Sequence, residues 1–138
     1  MISTTLLKAY KATCYEIFNP KIEIFIGQEN EELQTFLKEN EIKSWCFITA
    51  WNPYSKGLSK DENEELNSQL KNDLKPYKIY AAHGKDSIGN WPPELSFFVA
   101  NIDENDAIAL GKKYQQNAFV YGILNEKAKL ITLVPIES

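Results

Sequence analysis

Apolar and polar positions change period several times along the chain, and each change marks an element. Leu6, Leu7 and Tyr10 recur at helical spacing behind Ser3, a residue suited to cap a helix start. Thr13 to Phe18 is rich in β-formers, Asn19-Pro20 is a turn pair, and Ile22, Ile24 and Ile26 alternate, so a hairpin is predicted there. Asn30 to Glu39 returns to helical spacing with Leu33, Phe36 and Leu37. Ser44 to Trp51 is apolar on both faces, Trp45, Phe47 and Trp51 on one and Cys46, Ile48 and Ala50 on the other, as suits a central strand covered on both sides. Leu95 to Ile102 and Ala118 to Leu124 have the same character. Ser59-Lys60-Asp61-Glu62 is a capping box that opens a helix with the stripe Leu66, Leu70 and Leu74. Lys78 to Ala82 reads as a strand. Asp103 caps a fourth helix with Ala107, Leu110, Gly111 and Tyr114 inward, and Asn117 suits its left-handed stop. Lys129 to Ile136 is a last strand, placed at an edge because Pro135 cannot donate a ladder hydrogen bond.

The predicted order is helix, two strands, helix, strand, helix, two strands, helix, two strands. It implies an α/β (α+β) fold, a mixed β-sheet of about six to seven strands with about four helices packed on it. Helices and strands do not alternate strictly enough for a Rossmann fold, and neither Gly-x-Gly-x-x-Gly nor Walker A occurs. No linker, repeat or low-complexity stretch interrupts the chain, so residues 1–138 are expected to form one domain.

Composition narrows the setting. The hydrophobic fraction is 43% and the charged fraction 25%, both ordinary for a globular protein. Residues 1–8 lack the basic start and long apolar run of a signal peptide, and no window reaches the roughly eighteen apolar residues of a membrane span. Cys14 and Cys46 lie far apart and outside any metal-ligand spacing, and Cys46 sits in an apolar run. A reducing cytoplasm, two free thiols, no metal and no membrane partner are expected. The net charge is -4 and all 15 basic residues are lysine. The absence of arginine's planar fork and the acidic balance argue against nucleic acid as a partner.

Short motifs then stand out. Thr49-Ala50-Trp51-Asn52-Pro53-Tyr54-Ser55 is followed by Leu58-Ser59 and Asn63; Trp91-Pro92-Pro93-Glu94-Leu95-Ser96 precedes a buried strand; Gln116-Asn117-Ala118 joins the fourth helix to the next. This series, from about Ala9-Tyr10 and Thr13-x-Tyr15 to about Val120, resembles a bacterial family known as domain of unknown function 3293. The family pattern is Thr-Ala-x-Asn-Pro, Trp-x-x-Glu-x-Ser and Gln-Asn-Ala, all intact here. The chain departs from it at Tyr114-Gln115, where the family commonly has Phe-Gly. The resemblance implies a compact bacterial domain and brings no activity with it.

The polar residues of these motifs are the candidate site. Asn52, Ser55, Asn63, Ser96, Gln116 and Asn117 lie at or near strand ends, with Trp51 and Trp91 as apolar walls and Tyr54 as a rim. Glu94 is the one carboxylate shared by the motifs, hence the candidate general acid or base, with the single histidine His83 as a possible helper. The same residues also have a bracing role open to them. Asn52-Pro53 opens turns, Asn117 stops helices, and Asn63 is placed to brace the 52–58 loop by hydrogen bonds. Ser96 lacks a nucleophile elbow.

Three predicted helices start with their own acids: Glu29, Glu31 and Glu32; Asp61, Glu62, Glu64 and Glu65; Asp103, Glu104 and Asp106. These occupy the helix ends that would otherwise attract anions. A ligand is therefore expected to be neutral or cationic, and no nucleotide or other cofactor is implied. Two functions remain in view: a binding or regulatory module recognising a small molecule or protein through the 52–55 and 91–96 loops, and a small enzyme using Glu94.

Overall fold

The structure is a computed structural model and describes residues 1–86 and 92–137. The elements follow the predicted order: α1 (Thr4–Ala12), β1 (Cys14–Ile17), β2 (Ile22–Ile24), α2 (Glu31–Glu39), β3 (Ser44–Ile48), α3 (Lys60–Asp73), β4 (Lys78–Lys85), β5 (Glu94–Ala100), α4 (Glu104–Lys113), β6 (Ala118–Ile123) and β7 (Lys129–Thr132). A short 3-10 turn, Pro53–Ser55, lies between β3 and α3. Side-chain caps open all four helices, from Ser3, Asn30, Ser59 and Asp103. Those of Ser59 and Glu62 are reciprocal, as the capping box predicts.

Among the described residues, seven strands form one sheet in the order β2-β1-β4-β5-β3-β6-β7. The architecture is α+β, and every neighbouring pair of strands is antiparallel rather than mixed in direction. The reason is interleaving. α3 joins β3 to β4, which run parallel but stand apart with β5 between them; α4 joins β5 to β6, which are separated by β3. Each gap between parallel strands is filled by one running the other way, which apolar periodicity along the chain does not specify.

Alternation along the strands divides the core in two. Trp45, Phe47, Phe98, Ala82 and Val120 face one side, where α2 contributes Leu33, Phe36 and Leu37. Cys46, Ile48, Val99 and Tyr121 face the other, covered by Leu70 and Leu74 of α3 and its C-cap and by Ala107 and Tyr114 of α4 and its C-cap. Trp45 stacks on Phe98 at a centroid distance of 5.0 Å. Both cysteines are buried and free. Among the described residues, no helix is long and apolar enough to cross a membrane.

Several boundaries differ from the sequence pattern: β2 stops at Ile24, β4 runs on to Lys85 and β7 stops at Thr132, and two further differences bear on the cavity. β3 ends at Ile48 rather than Trp51, because Thr49 Oγ1 donates to Leu95 O at 2.6 Å and accepts from Trp51 N–H at 3.0 Å. These bonds take the chain out of the ladder. The left-handed stop of α4 is Gln115 (φ 54°), not Asn117. Gln116 N–H reaches Gly111 O at 2.9 Å and Gln115 N–H reaches Lys112 O at 3.1 Å, a Schellman pair that fixes the reversal two residues earlier.

Candidate functional site

A cavity of about 390 Å³ lies between α1 and the end of the sheet where β3 and β4 finish and β1, β5 and β6 begin. Leu6, Ala9 and Tyr10 line it from α1, and Tyr15 and Phe47 from the sheet. Trp51, Asn52 and Ser55 line it from the segment after β3, Pro92, Glu94 and Ser96 from the start of β5 and the residues before it, and Gln116 from the turn between α4 and β6. In antiparallel pairs, residues directly opposite share a face. Tyr15 lies opposite Gly84 and Gly84 opposite Glu94, so Tyr15 and Glu94 look out from the same face.

Burial pushes the Glu94 carboxyl above its ordinary range, and a hydrogen bond with the Asn52 side chain opposes the rise. Asn52 itself is gripped by α3. Its N–H donates to Asn63 Oδ1 at 2.7 Å, and its Oδ1 accepts from Asn63 Nδ2 at 2.8 Å and from Leu58 N–H at 3.0 Å. With Oδ1 so engaged, the amide nitrogen of Asn52 is left for Glu94. One turn along α3, Asn67 ties the two strand ends together, accepting from Ala50 N–H at 2.8 Å and donating to Leu95 O at 2.9 Å.

The turn is strained. Asn52, Tyr54 and Ser55 all have left-handed backbones, with φ of 47°, 52° and 60°. Such positions cost on the order of 1–3 kcal/mol each and persist where surrounding contacts force them. Here Asn63 forces Asn52, and the bond from Tyr54 N–H to Gln115 O at 2.7 Å forces the turn. Ser55 is thereby brought to α1: its Oγ lies 2.8 Å from Tyr10 Oη and accepts from Asn117 Nδ2 at 3.2 Å, while Asn117 Nδ2 also reaches Tyr10 Oη at 3.1 Å.

Six residues singled out from the sequence thus line one cavity: Trp51, Asn52, Ser55, Glu94, Ser96 and Gln116. Asn63 and Asn117 are buried behind it and hold lining residues in place. Tyr54 is exposed and its side chain is not part of the lining. Trp91 lies outside the described residues. His83 does not join Glu94. It stands opposite Glu16 and Leu95 on the other face of the sheet, with Nε2 2.6 Å from Glu16 Oε1 and Phe18 edge-on to its ring. The sequence reading left out Tyr10, Tyr15 and Asn67. Tyr10 and Tyr15 fell within the family resemblance, and Asn67 follows Asn63 by one helical turn on the stripe of Leu66 and Leu70. Among the described residues, no group of His, Cys, Asp and Glu could hold a metal ion.

The family described as "Protein of unknown function (DUF3293)" matches residues 48–119, more than half of the chain. The chain belongs to this family. The match runs from Ile48, the last residue of β3, into the start of β6, and takes in every described lining residue from Thr49 to Ala118. Tyr10, Tyr15 and Phe47 lie before it, so the family segment supplies the Asn52, Glu94 and Gln116 side of the cavity and the preceding chain supplies α1, β1 and most of β3. Neither the curated proteins nor the solved structures give a match.

Proposed function

We propose that the chain binds a small neutral or cationic molecule in the cavity under α1, with Glu94 as the group that fixes it. One observation carries the reading. The segments around Asn52, Glu94 and Gln116 do not close on one another but surround about 390 Å³ of space that the Glu94 carboxyl borders. That volume, with an aromatic and aliphatic lining and a few convergent polar groups, fits small-molecule sites. Loops serving as scaffold alone would pack shut, and a protein partner would call for a flat apolar patch. The strained turn at Asn52, Tyr54 and Ser55 adds support, since strain of this kind gathers at ligand sites.

The test is a thermal-shift screen of neutral, cationic and anionic metabolites against wild type and Ala9→Trp, which fills the cavity from α1. A rise in melting temperature with a neutral or cationic compound, lost in Ala9→Trp, is the expected result. No shift with any compound, or a shift with ATP, would overturn the reading.

A second reading makes Glu94 a general acid or base, favoured by the burial that raises its carboxyl toward the range such groups use. It ranks behind binding because the nearby hydroxyls are engaged: Ser96 Oγ donates to Glu94 O at 3.0 Å, and Ser55 Oγ bonds to Tyr10 and Asn117. A bacterial cytoplasm is part of the proposal, supported by the two free buried thiols and by the family resemblance.

A further inference from the structure

We propose that the occupant of the cavity is an organic ammonium ion, a protonated amine on an apolar body, paired with Glu94 and packed against the surrounding aromatic rings. This rests on the reading that the cavity binds a small molecule, and it names the class.

Glu94 is the only acid among the described residues that line the cavity, and Lys85 the only base. Lys85 is occupied elsewhere. Its ammonium lies 3.4 Å from Glu16 Oε1 and 3.8 Å from Glu23 Oε2, two carboxylates on the opposite face of the sheet from Glu94. Asn52 gives Glu94 a hydrogen bond but no charge. A carboxylate partly removed from water without a counter-charge is costly, and a ligand cation would supply what the lining does not.

The walls suit the same class. Tyr10, Tyr15, Phe47 and Trp51 border the cavity, and aromatic rings beside a carboxylate are the surroundings that attract ammonium groups. An anion would meet Glu94 directly, and the chain has no arginine to offset it. Among the described lining residues, the other titratable groups are Tyr10 from α1, Tyr15 from β1 and Lys85 from β4. Burial holds the Tyr15 hydroxyl neutral far above neutral pH, so Glu94 is the group whose charge governs the site on the acid side.

The experiment is calorimetric titration with charged and neutral probes of matched shape: phenethylammonium against 2-phenylethanol, and choline against 3,3-dimethyl-1-butanol. In wild type at pH 7 at least one cation should bind about tenfold or more tightly than its neutral match, the usual advantage of a charge-assisted contact. The preference should vanish in Glu94→Gln. In wild type the cation's affinity should also fall as acid protonates Glu94, while that of the alcohol stays level, a readout that does not depend on the variant folding. An alcohol binding as tightly as its cation would overturn the ammonium class and leave the small-molecule reading standing. Binding of neither probe in either pair, together with a blank metabolite screen, would overturn both.

Discussion

Asn63 holds Asn52 at two points, accepting its backbone N–H at 2.7 Å and donating to its side-chain Oδ1 at 2.8 Å. That grip sets a left-handed residue, orients its amide and so determines what Glu94 meets. Replacing Asn63 with Ala removes both bonds and leaves the Asn52 N–H short of its partner. A loss of about 2 kcal/mol in urea unfolding is expected. The Glu94 carboxyl should titrate higher still, because the bond favouring its charged form is loosened, and carbon-13 NMR of the side chain would follow it. Unchanged stability and an unchanged titration would refute the bracing role.

Glu94 itself should behave in the opposite way. Its folded carboxyl titrates above the unfolded value of about 4.3. Between those two values the folded state binds more protons than the unfolded one, so the group's contribution to stability declines as pH rises through that window. Glu94→Gln keeps the shape and an acceptor for Asn52 but removes the charge. At pH 7 the variant should be as stable as wild type or more so, and its advantage should disappear below about pH 4. Urea unfolding of both proteins at several pH values decides it; a marked loss at pH 7 would make Glu94 a brace.

Glu16 gives the converse case. It is 6% exposed, and its Oε1 meets His83 Nε2 at 2.6 Å and Lys85 Nζ at 3.4 Å. Burial pushes its carboxyl up, but the His83 hydrogen bond and the Lys85 charge outweigh this and hold it below the ordinary range. Stability from a depressed carboxyl is present above the unfolded value and is lost as pH falls through the folded one. Glu16→Gln should therefore destabilise by about 1–3 kcal/mol at pH 7. The gap should close in acid, as read by melting temperature across a pH series.

Gln115 occupies a position that favours glycine. At φ 54° its Cβ is strained, and a glycine there would keep both Schellman bonds. Gln115→Gly should stabilise the protein by about 0.5–1 kcal/mol, after allowing for the freer unfolded chain. Chemical denaturation measures it, and a loss of stability would mean that the Gln115 side chain contributes more than its backbone strain costs.

Much of this architecture is legible in the residues. Two-faced apolar runs such as Trp45 to Ile48 marked central strands, and Ser59 with Glu62 marked a helix start; β7 is an edge strand as expected, but it ends at Thr132, before the proline that suggested the edge. These are local signals of periodicity and capping, read over a few residues. The candidate site was legible in part for a different reason: its polar residues cluster at strand ends and in the family's motifs. What stayed hidden involves distant pairs. His83, the candidate helper for Glu94, stands opposite Leu95, one residue out of phase and therefore on the other face. Asn67 looked like any polar residue on a helix until the fold brought it to Ala50 and Leu95.

The sequence by itself determined the kind and order of the elements, because helix and strand periods and their caps are properties of neighbouring residues. It also determined the acidic, arginine-free character of the chain. Only the tertiary structure decided that all strand neighbours are antiparallel, that α1 closes over the end of the sheet, and that Asn52, Glu94 and Gln116 border one cavity. Those facts depend on which strands fill the gaps between others and on the register of each pair, interactions between residues tens of positions apart that no local pattern records.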